Sequence, residues 1–436
     1  MFTDGKTLRD LEIFRSRDEG PSVFELLDRT TTDGGKLALR RRFEDSLDGA
    51  ESIRDVQLAV CFLLNQDVEY SIDRTLVERV SRYLRSSWEA GSRMRGALFF
   101  VDSLWVALRY RDFVRFARSG ALATRTLVGQ ADDMARKIHD AGPPSEIARL
   151  VRQLMELTER LRQQLKTVRR TPWALLRRDG ELRLHHRADL QAFLNAIFEL
   201  DALWAMASAT REYGLTIPEV VDEREFVLQG DGIFHLFLVD PASNPVSITN
   251  DESLVFLTGP NMSGKTTYLK SVGVAVFLAH LGMGVPATSL RFAPLDALLT
   301  SLSPEENLRA GISFFMAEVE RVHEVAKVLA QRQRSLVLFD EIFKGTNLQD
   351  AVEASRLVIK GFSRSRSSGF IVSSHLVELA GDLQDQPSIQ FQHFDGHVRE
   401  GKAEYEFRLK PGVSEQRLGF HLLHQKGVPE LLADLE

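Results

Sequence analysis

The sequence predicts a wholly helical region followed by an α/β domain built on a parallel sheet. Three observations point there. Residues 1–215 carry apolar side chains three and four apart over long runs, the spacing of one helix face. From 216 to 436 the pattern changes to short unbroken apolar runs, "SLVFLT" (253–258), "SLVLFD" (335–340) and "GFIVSS" (369–374), which suit strands buried on both faces. Helical stretches separate those runs, as crossovers between parallel strands require.

In the first region "AVCFLLNQ", "LFFVDSLWVALRYRDFVRFA" and "EIARLVRQLMELTERLRQQLKTV" have helical spacing. Pro143 and Pro144 in "DAGPPSE" stop one helix, and Ser145 is the expected N-cap of the next. A second break, "RTPWALLRRDGELRLHHR" (170–187), precedes "ADLQAFLNAIFELDALWAMASATREYG". The stretches 146–169 and 188–213 are expected to lie antiparallel, making an arm over about 145–190 with the break at its tip. In the second region "REFVLQGDGIFHLFLVD" reads as two short strands around a Gly230-Asp231-Gly232 turn.

Composition excludes several classes. The chain has 436 residues, 44% hydrophobic and 27% charged, enough for two or three domains and a sizeable core. Its one cysteine, Cys61, excludes an internal disulfide framework and fits a small core residue in a reducing compartment. The N-terminal "MFTDGKTLRDLEIFRSRDEG" lacks the apolar stretch of a signal peptide. No apolar segment reads as long enough to span a bilayer, so the expectation is a cytoplasmic protein with no membrane partner. The net charge of −6 gives no global attraction to nucleic acid.

The strongest motif is Gly259-Pro260-Asn261-Met262-Ser263-Gly264-Lys265-Thr266, followed by Thr267. It fits G-x-x-x-x-G-K-S/T between a predicted strand and a predicted helix, the context a phosphate loop needs. Glycines let backbone amides turn onto phosphate oxygens, and the helix N-terminus adds partial positive charge. Lys265 is placed to reach the β- and γ-phosphates and Thr266 to ligate Mg²⁺. About 75 residues on, "SLVLFDE" ends in Asp340-Glu341. An aspartate at such a strand end holds Mg²⁺, and the adjacent glutamate is placed to polarise the attacking water. His375 closes the third apolar run in "IVSSHLVEL". It either senses the γ-phosphate or orients water, or it is a structural histidine.

Together these motifs resemble the MutS mismatch-repair ATPases. "TGPNMSGKTTYLKSVGVAVFLAHLGMGVPA" is similar to that family's phosphate loop and first helix, and "DEIFKGTN" to its Walker B motif. "GISFFMAEVERV" looks like its ABC-type signature, which implies that Ser313 reaches the nucleotide of a second copy. The helix after it places Phe315, Val319, Val322, Ala326 and Leu329 on one face. "TLRDLEIF…PSVFELLDRTTTDGGKLALRRRF" and "FELDALWAMASATREYGLTIPEVV" resemble the two ends of the family's helical lever, and "LKPGVSEQRLGFHLLHQKGVPELLADL" its C-terminal helix-turn-helix. The resemblance implies an α/β P-loop NTPase domain of ABC type preceded by an all-α lever and clamp domain. It implies ATP and Mg²⁺ as ligands, and a homodimer joined through the ATPase domains and the helix-turn-helix. It also implies a role in DNA repair, with a possible repair-protein partner.

Some features depart from the family. Full-length members begin with a mismatch-reading domain and a connector, whereas this sequence starts about a dozen residues before "LEIF". The only Phe-x-Glu, the triplet of the mismatch wedge, is Phe339-Asp340-Glu341. Mismatch reading in the usual way is therefore not expected. Ser263 replaces a usual glycine, and Arg9-Asp10 a usual asparagine. "DPASNPVSI" lacks the aromatic that stacks on adenine, which leaves Phe234 or His235 for that role.

Residues 152–187 hold ten Lys/Arg against four acids. Arg162, Lys166, Arg169, Arg170, Arg177 and Arg178 make this a candidate stripe for the phosphate backbone of double-stranded or branched DNA. No base-reading signature accompanies it, and the bland alternative is a solvated helix face. Trp173 either stacks on a base or packs at the arm tip. The expected function is an ATP-gated DNA clamp, and the alternative is a nucleotide-switched protein scaffold without DNA. A chromosome-organising ATPase is excluded, because such proteins place a very long coiled coil between the two nucleotide motifs.

Overall fold

The computed structural model describes residues 1–15, 20–65, 70–86, 105, 108–165, 171–222, 225–303, 314–331, 334–399, 402–414 and 428–433. They form two compact units. One comprises Leu27–Asp45 and Asp55–Ala209; the other comprises Met1–Leu26, Ser46–Arg54 and Thr210–Glu436. The sequence reading placed one boundary near 215. The structure groups two early segments with the α/β unit: Phe2 and Thr3 pair with Ala297 and Leu298, and Leu47 and Arg54 donate to the carbonyls of His280 and Val220.

The elements in chain order begin with strand β1 (Phe2–Thr3) and helices α1 (Gly5–Asp10), α2 (Val23–Leu27), α3 (Asp33–Glu44), α4 (Ala50–Asn65) and α5 (Arg74–Arg85). Then come α6 (Arg111–Asp140), α7 (Ser145–Leu165), α8 (Pro172–Gly180) with a π-helical turn at Glu181–His185, and α9 (Arg187–Glu212). The strands β2 (Glu219–Val220), β3 (Val227–Ile233), β4 (Asn244–Thr249) and β5 (Leu254–Thr258) precede α10 (Lys265–Ala279). Next are β6 (Ser289–Phe292), β7 (Ala297–Ser301), α11 (Phe314–Gln331), β8 (Ser335–Asp340), α12 (Leu348–Phe362), β9 (Gly369–Ser373) and α13 (Glu378–Leu383). The chain ends with β10 (Ile389–Arg399), β11 (Lys402–Pro411) and α14 (Val428–Ala433).

The helical unit is organised by long amphipathic helices. Pro143 and Pro144 turn the chain so that α7 runs back along α6, with Leu150, Leu154, Leu157 and Leu161 buried. The sequence pattern pairs 146–169 with 188–213, the spans of α7 and α9. The structure makes α6 the main partner of α7, and α9 meets it through Arg160 and Asp189 at 3.7 Å. Ser145 is the first helical residue rather than the cap, and its hydroxyl donates to Asp55 (3.0 Å). Asp201 of α9, itself buried, accepts from the amides and hydroxyls of both Thr31 and Thr32 at 2.7–3.0 Å. Thr32 in turn caps α3 through the amide of Gly35. Cys61 is half-buried on α4, and burial pushes its thiol pKa up.

One described helix, Arg187–Glu212, is long and apolar enough by length and composition to cross a membrane, which the sequence reading overlooked. Its apolar window is 72% buried inside the protein, the mark of a core helix.

The α/β unit holds a seven-stranded sheet ordered β1-β7-β8-β9-β5-β10-β11 and a four-stranded sheet ordered β2-β6-β3-β4. All neighbours in the larger sheet are parallel except β10 and β11. The three apolar runs are its adjacent central strands β5, β9 and β8, buried almost throughout. The expected turn at Gly230-Asp231-Gly232 is instead a bulge within β3, which pairs with both β4 and β6. Gly232 sits at φ 63°, where an added Cβ would lie 2.1 Å from the Thr288 hydroxyl. On α11 the packed face holds Phe315, Val319, Val322, Val325, Val328 and Leu329, while Ala326 is exposed.

Candidate functional site

The loop after β5 folds as its glycines require. Gly259 has φ 147°, and a Cβ there would lie 2.8 Å from the carbonyl oxygen of Phe394. Gly264 has φ 103° and serves as N-cap of α10. Met262 takes φ 68° between them and is exposed, a conformation costing about 1–3 kcal/mol that only a fixed frame sustains. Ser263 is buried, and its hydroxyl finds no hydrogen-bond partner among the described residues. Lys265 opens the helix, and its ammonium donates to the carbonyls of Gly259 (2.8 Å) and Pro260 (3.1 Å). Burial lowers the pKa of Lys265, against the pull of the carboxylates of Glu341 and Asp340.

The neighbouring strands bring the acids to this loop. Asp340, at the end of β8, accepts one hydrogen bond from the Thr266 hydroxyl and one from the Ser373 hydroxyl at the end of β9. Glu341 follows at φ 59°, its amide donating to the carbonyl (3.1 Å) and hydroxyl (3.2 Å) of Ser373. Its carboxylate pairs with His375 Nε2 through one oxygen and Lys344 Nζ through the other. Burial would raise the pKa of Glu341, but hydrogen bonds and charge from His375 and Lys344 outweigh it and bring it to about 2.

A cleft of about 500 Å³ opens beside the loop. Asn261, Met262, Gly264, Lys265, Thr266 and Thr267 line it together with Glu341. His235, Pro241, Asn244, Tyr268, Phe394 and Phe407 line the rest. Of the two residues considered for base stacking, His235 reaches the cleft. Phe234 lies in a small recess with Leu11 and Lys270. Burial, then the charge of Lys270, pushes the His235 pKa down to about 4, so the imidazole is neutral at pH 7.

Phe407 lines the cleft but lies in no motif of the sequence. It sits on β11 at φ 52°, 44% exposed, and a Cβ on Gly264 would be 3.2 Å from its ring. Asn244 fixes it there, donating to the Phe407 carbonyl (3.0 Å) and accepting from the Leu409 amide (2.7 Å). No spacing rule links residue 407 to a loop at 259–266; only the pairing of β11 with β10, and of β10 with β5, brings them together.

Ser313, Lys166, Arg169 and Arg170 lie outside the described residues, as does the Trp173 side chain and most of the expected helix-turn-helix. The described arginines of the stripe are engaged with acids: Arg162 with Asp132 (2.5 Å), Arg177 with Glu181 (3.0 Å) and Arg178 with Glu181 (3.9 Å). No group of three or more His, Cys, Asp or Glu among the described residues could by itself hold a metal ion. The oxygens of Thr266 and Asp340 fit Mg²⁺, which takes one or two protein oxygens together with substrate phosphates.

Residues 255–434 match the family model for MutS domain V, a span that opens in β5 and takes in the loop 259–266, Asp340-Glu341 and His375. The chain carries a MutS-family ATPase domain. Three curated relatives named DNA mismatch repair protein MutS align with it. That of Lysinibacillus sphaericus (strain C3-41) is 28% identical over 248 residues, 55% of this chain and 28% of the relative. That of Geobacillus kaustophilus (strain HTA426) is 29% identical over 252 residues, 56% and 28% respectively. That of Aquifex pyrophilus is 27% identical over 236 residues, 54% and 27%. The chain thus spans a little over a quarter of the length of these MutS relatives. The MutS domain V match supports an ATP-binding, ATPase-type domain and, through it, use of ATP and Mg²⁺.

Proposed function

We propose that this chain hydrolyses ATP at the cleft beside Lys265 and uses the cycle to open and close a dimeric grip on duplex DNA. One observation carries the reading. Lys265, Thr266, Asp340, Glu341 and His375 converge at the carboxyl ends of three adjacent parallel strands, where α/β sheets bind ligands. The loop amides and the start of α10 hold the phosphates, and Lys265 exchanges its two carbonyl acceptors for β- and γ-phosphate oxygens. Thr266 and Asp340 hold Mg²⁺, which when bound neutralises charge developing on the phosphates. Glu341 takes the proton of the attacking water, and His375 orients Glu341. Phe407 supplies the aromatic face for the base, with His235 beside it. In the dimer, Ser313 of each copy completes the other's site, and the expected helix-turn-helix joins the copies. The setting is cytoplasmic DNA repair.

The test is ATP turnover and binding by Glu341→Gln. The variant should bind ATP while turnover falls about 100-fold or more. Wild-type turnover would remove Glu341 as the base.

The second reading, a nucleotide-switched scaffold for a protein partner, is favoured by the pairing of Arg162, Arg177 and Arg178 with acids, which leaves less charge for phosphates. Mobility shift on linear, branched and mismatched duplexes at two salt concentrations separates the two readings.

A further inference from the structure

Glu318 stands on α11, the helix that begins one residue after Ser313. Its carboxylate reaches the loop that follows β8. One oxygen accepts from the amide of Lys344 (3.1 Å) and the other from the amide of Gly345 (3.2 Å). Two consecutive amides are thus held by one charged acceptor, a stronger tie than a neutral side chain gives.

This loop needs a tie. Glu341 and Phe343 both take positive φ, 59° and 61°. Side chains with a Cβ stay in that region only where neighbours over-determine them. Helix α11 supplies two of the restraints: Phe315 packs its ring 5.7 Å from that of Phe343, and Glu318 binds the next two amides. The helix is itself anchored. Arg321, three residues on, is buried; its Nε donates to the Thr300 carbonyl at the end of β7 (3.1 Å), and it pairs with Asp4. Lys344 completes the path, since Glu318 holds its amide while its ammonium pairs with Glu341.

We propose that Glu318 is a positioning residue for hydrolysis: its hold on the Lys344 and Gly345 amides aims the Glu341 carboxylate at the attacking water. The inference rests on the reading of Glu341 as the base. In the step it serves, a water oxygen bonds to the γ-phosphorus and the bond from that phosphorus to the β–γ bridging oxygen breaks. ADP leaves with the electron pair, and the water proton passes to Glu341. Glu318 touches neither water nor nucleotide and acts only through the loop.

The experiment measures kcat for ATP, and Kd for a nonhydrolysable ATP analogue, in Glu318→Ala, Glu318→Gln and Glu341→Gln. Glu318→Ala should lower kcat about tenfold or more and leave Kd within about twofold. Glu318→Gln, whose carbonyl oxygen still accepts from an amide, should recover most of the loss. If Glu318→Ala turns over at the wild-type rate while Glu341→Gln is inactive, the positioning role is overturned and the base stands. If Glu341→Gln turns over normally, the base reading fails and the inference with it. Parallel losses of kcat and affinity in Glu318→Ala, unrescued in Glu318→Gln, mean that Glu318 only supports the fold, which also overturns the proposal.

Discussion

A carboxylate with a pKa near 2 is a weak base, and Glu341 owes that value to His375 and Lys344 prevailing over its burial. Removing one cation should strengthen the base. Lys344→Met is expected to move the acid limb of the pH–rate profile to higher pH, because Glu341 then protonates more readily. The same shift bears on stability. Its folded pKa lies below the ordinary 4.5, so its stabilisation is full above that value and is lost as pH falls toward about 2. Urea midpoints of the wild type should therefore drop between pH 5 and pH 3. Glu341→Gln should show a shallower drop, and an equal one would mean its contacts with His375 and Lys344 contribute nothing. Phe407→Ala should weaken ATP binding about tenfold, the scale of one lost base–aromatic stack, and unchanged affinity would remove Phe407 from the base site. That Lys265, Thr266, Asp340, Glu341 and His375 lie together was legible in the sequence, because each lies in or beside a local motif. The places of Phe407 and Glu318 were not, since each is set by a partner more than 20 residues away that no local spacing reports.

At the scale of elements, legibility followed burial. Strands β5, β8 and β9 lie inside a parallel sheet with both faces covered, so their sequences are continuous apolar runs with clear ends. Pairing was less legible. Apolar spacing shows that α7 and α9 each have a buried face but not which helix fills it, and the short Pro143–Pro144 turn gave that place to α6. The Gly-Asp-Gly triplet misled for a related reason: glycines that permit a tight turn equally permit a bulge where β6 approaches closely. The Asp201 tie to Thr31 and Thr32 joins two helices by four hydrogen bonds to one buried carboxylate. Asp201→Ala should cost about 3 kcal/mol or more, since it strands several buried donors. Hydrogen exchange would show it first at the amides of Thr31, Thr32 and Gly35, and wild-type protection there would refute the assignment.

At the scale of the whole molecule, the order of the two architectures was readable, while the grouping of the early segments was not. The early segments Met1–Leu26 and Ser46–Arg54 look like parts of the helical region by local pattern, yet they group with the α/β unit. The DNA reading also belongs to this scale. If about five phosphates are engaged, log affinity should fall with log salt at a slope near −4 to −5. A flat response would favour the protein-scaffold reading.

Strand β1 is two residues long, yet it pairs in register with β7, Phe2 opposite Ala297. During synthesis Phe2 and Thr3 must wait until β7, at residues 297–301, has been made before that rim of the sheet can close. The helical segments emerge in between and can collapse first, at the rapid pace of local contacts. The α/β unit is thus left to complete itself late, with an exposed margin open to chaperones or to misassociation until the ribosome has passed β7.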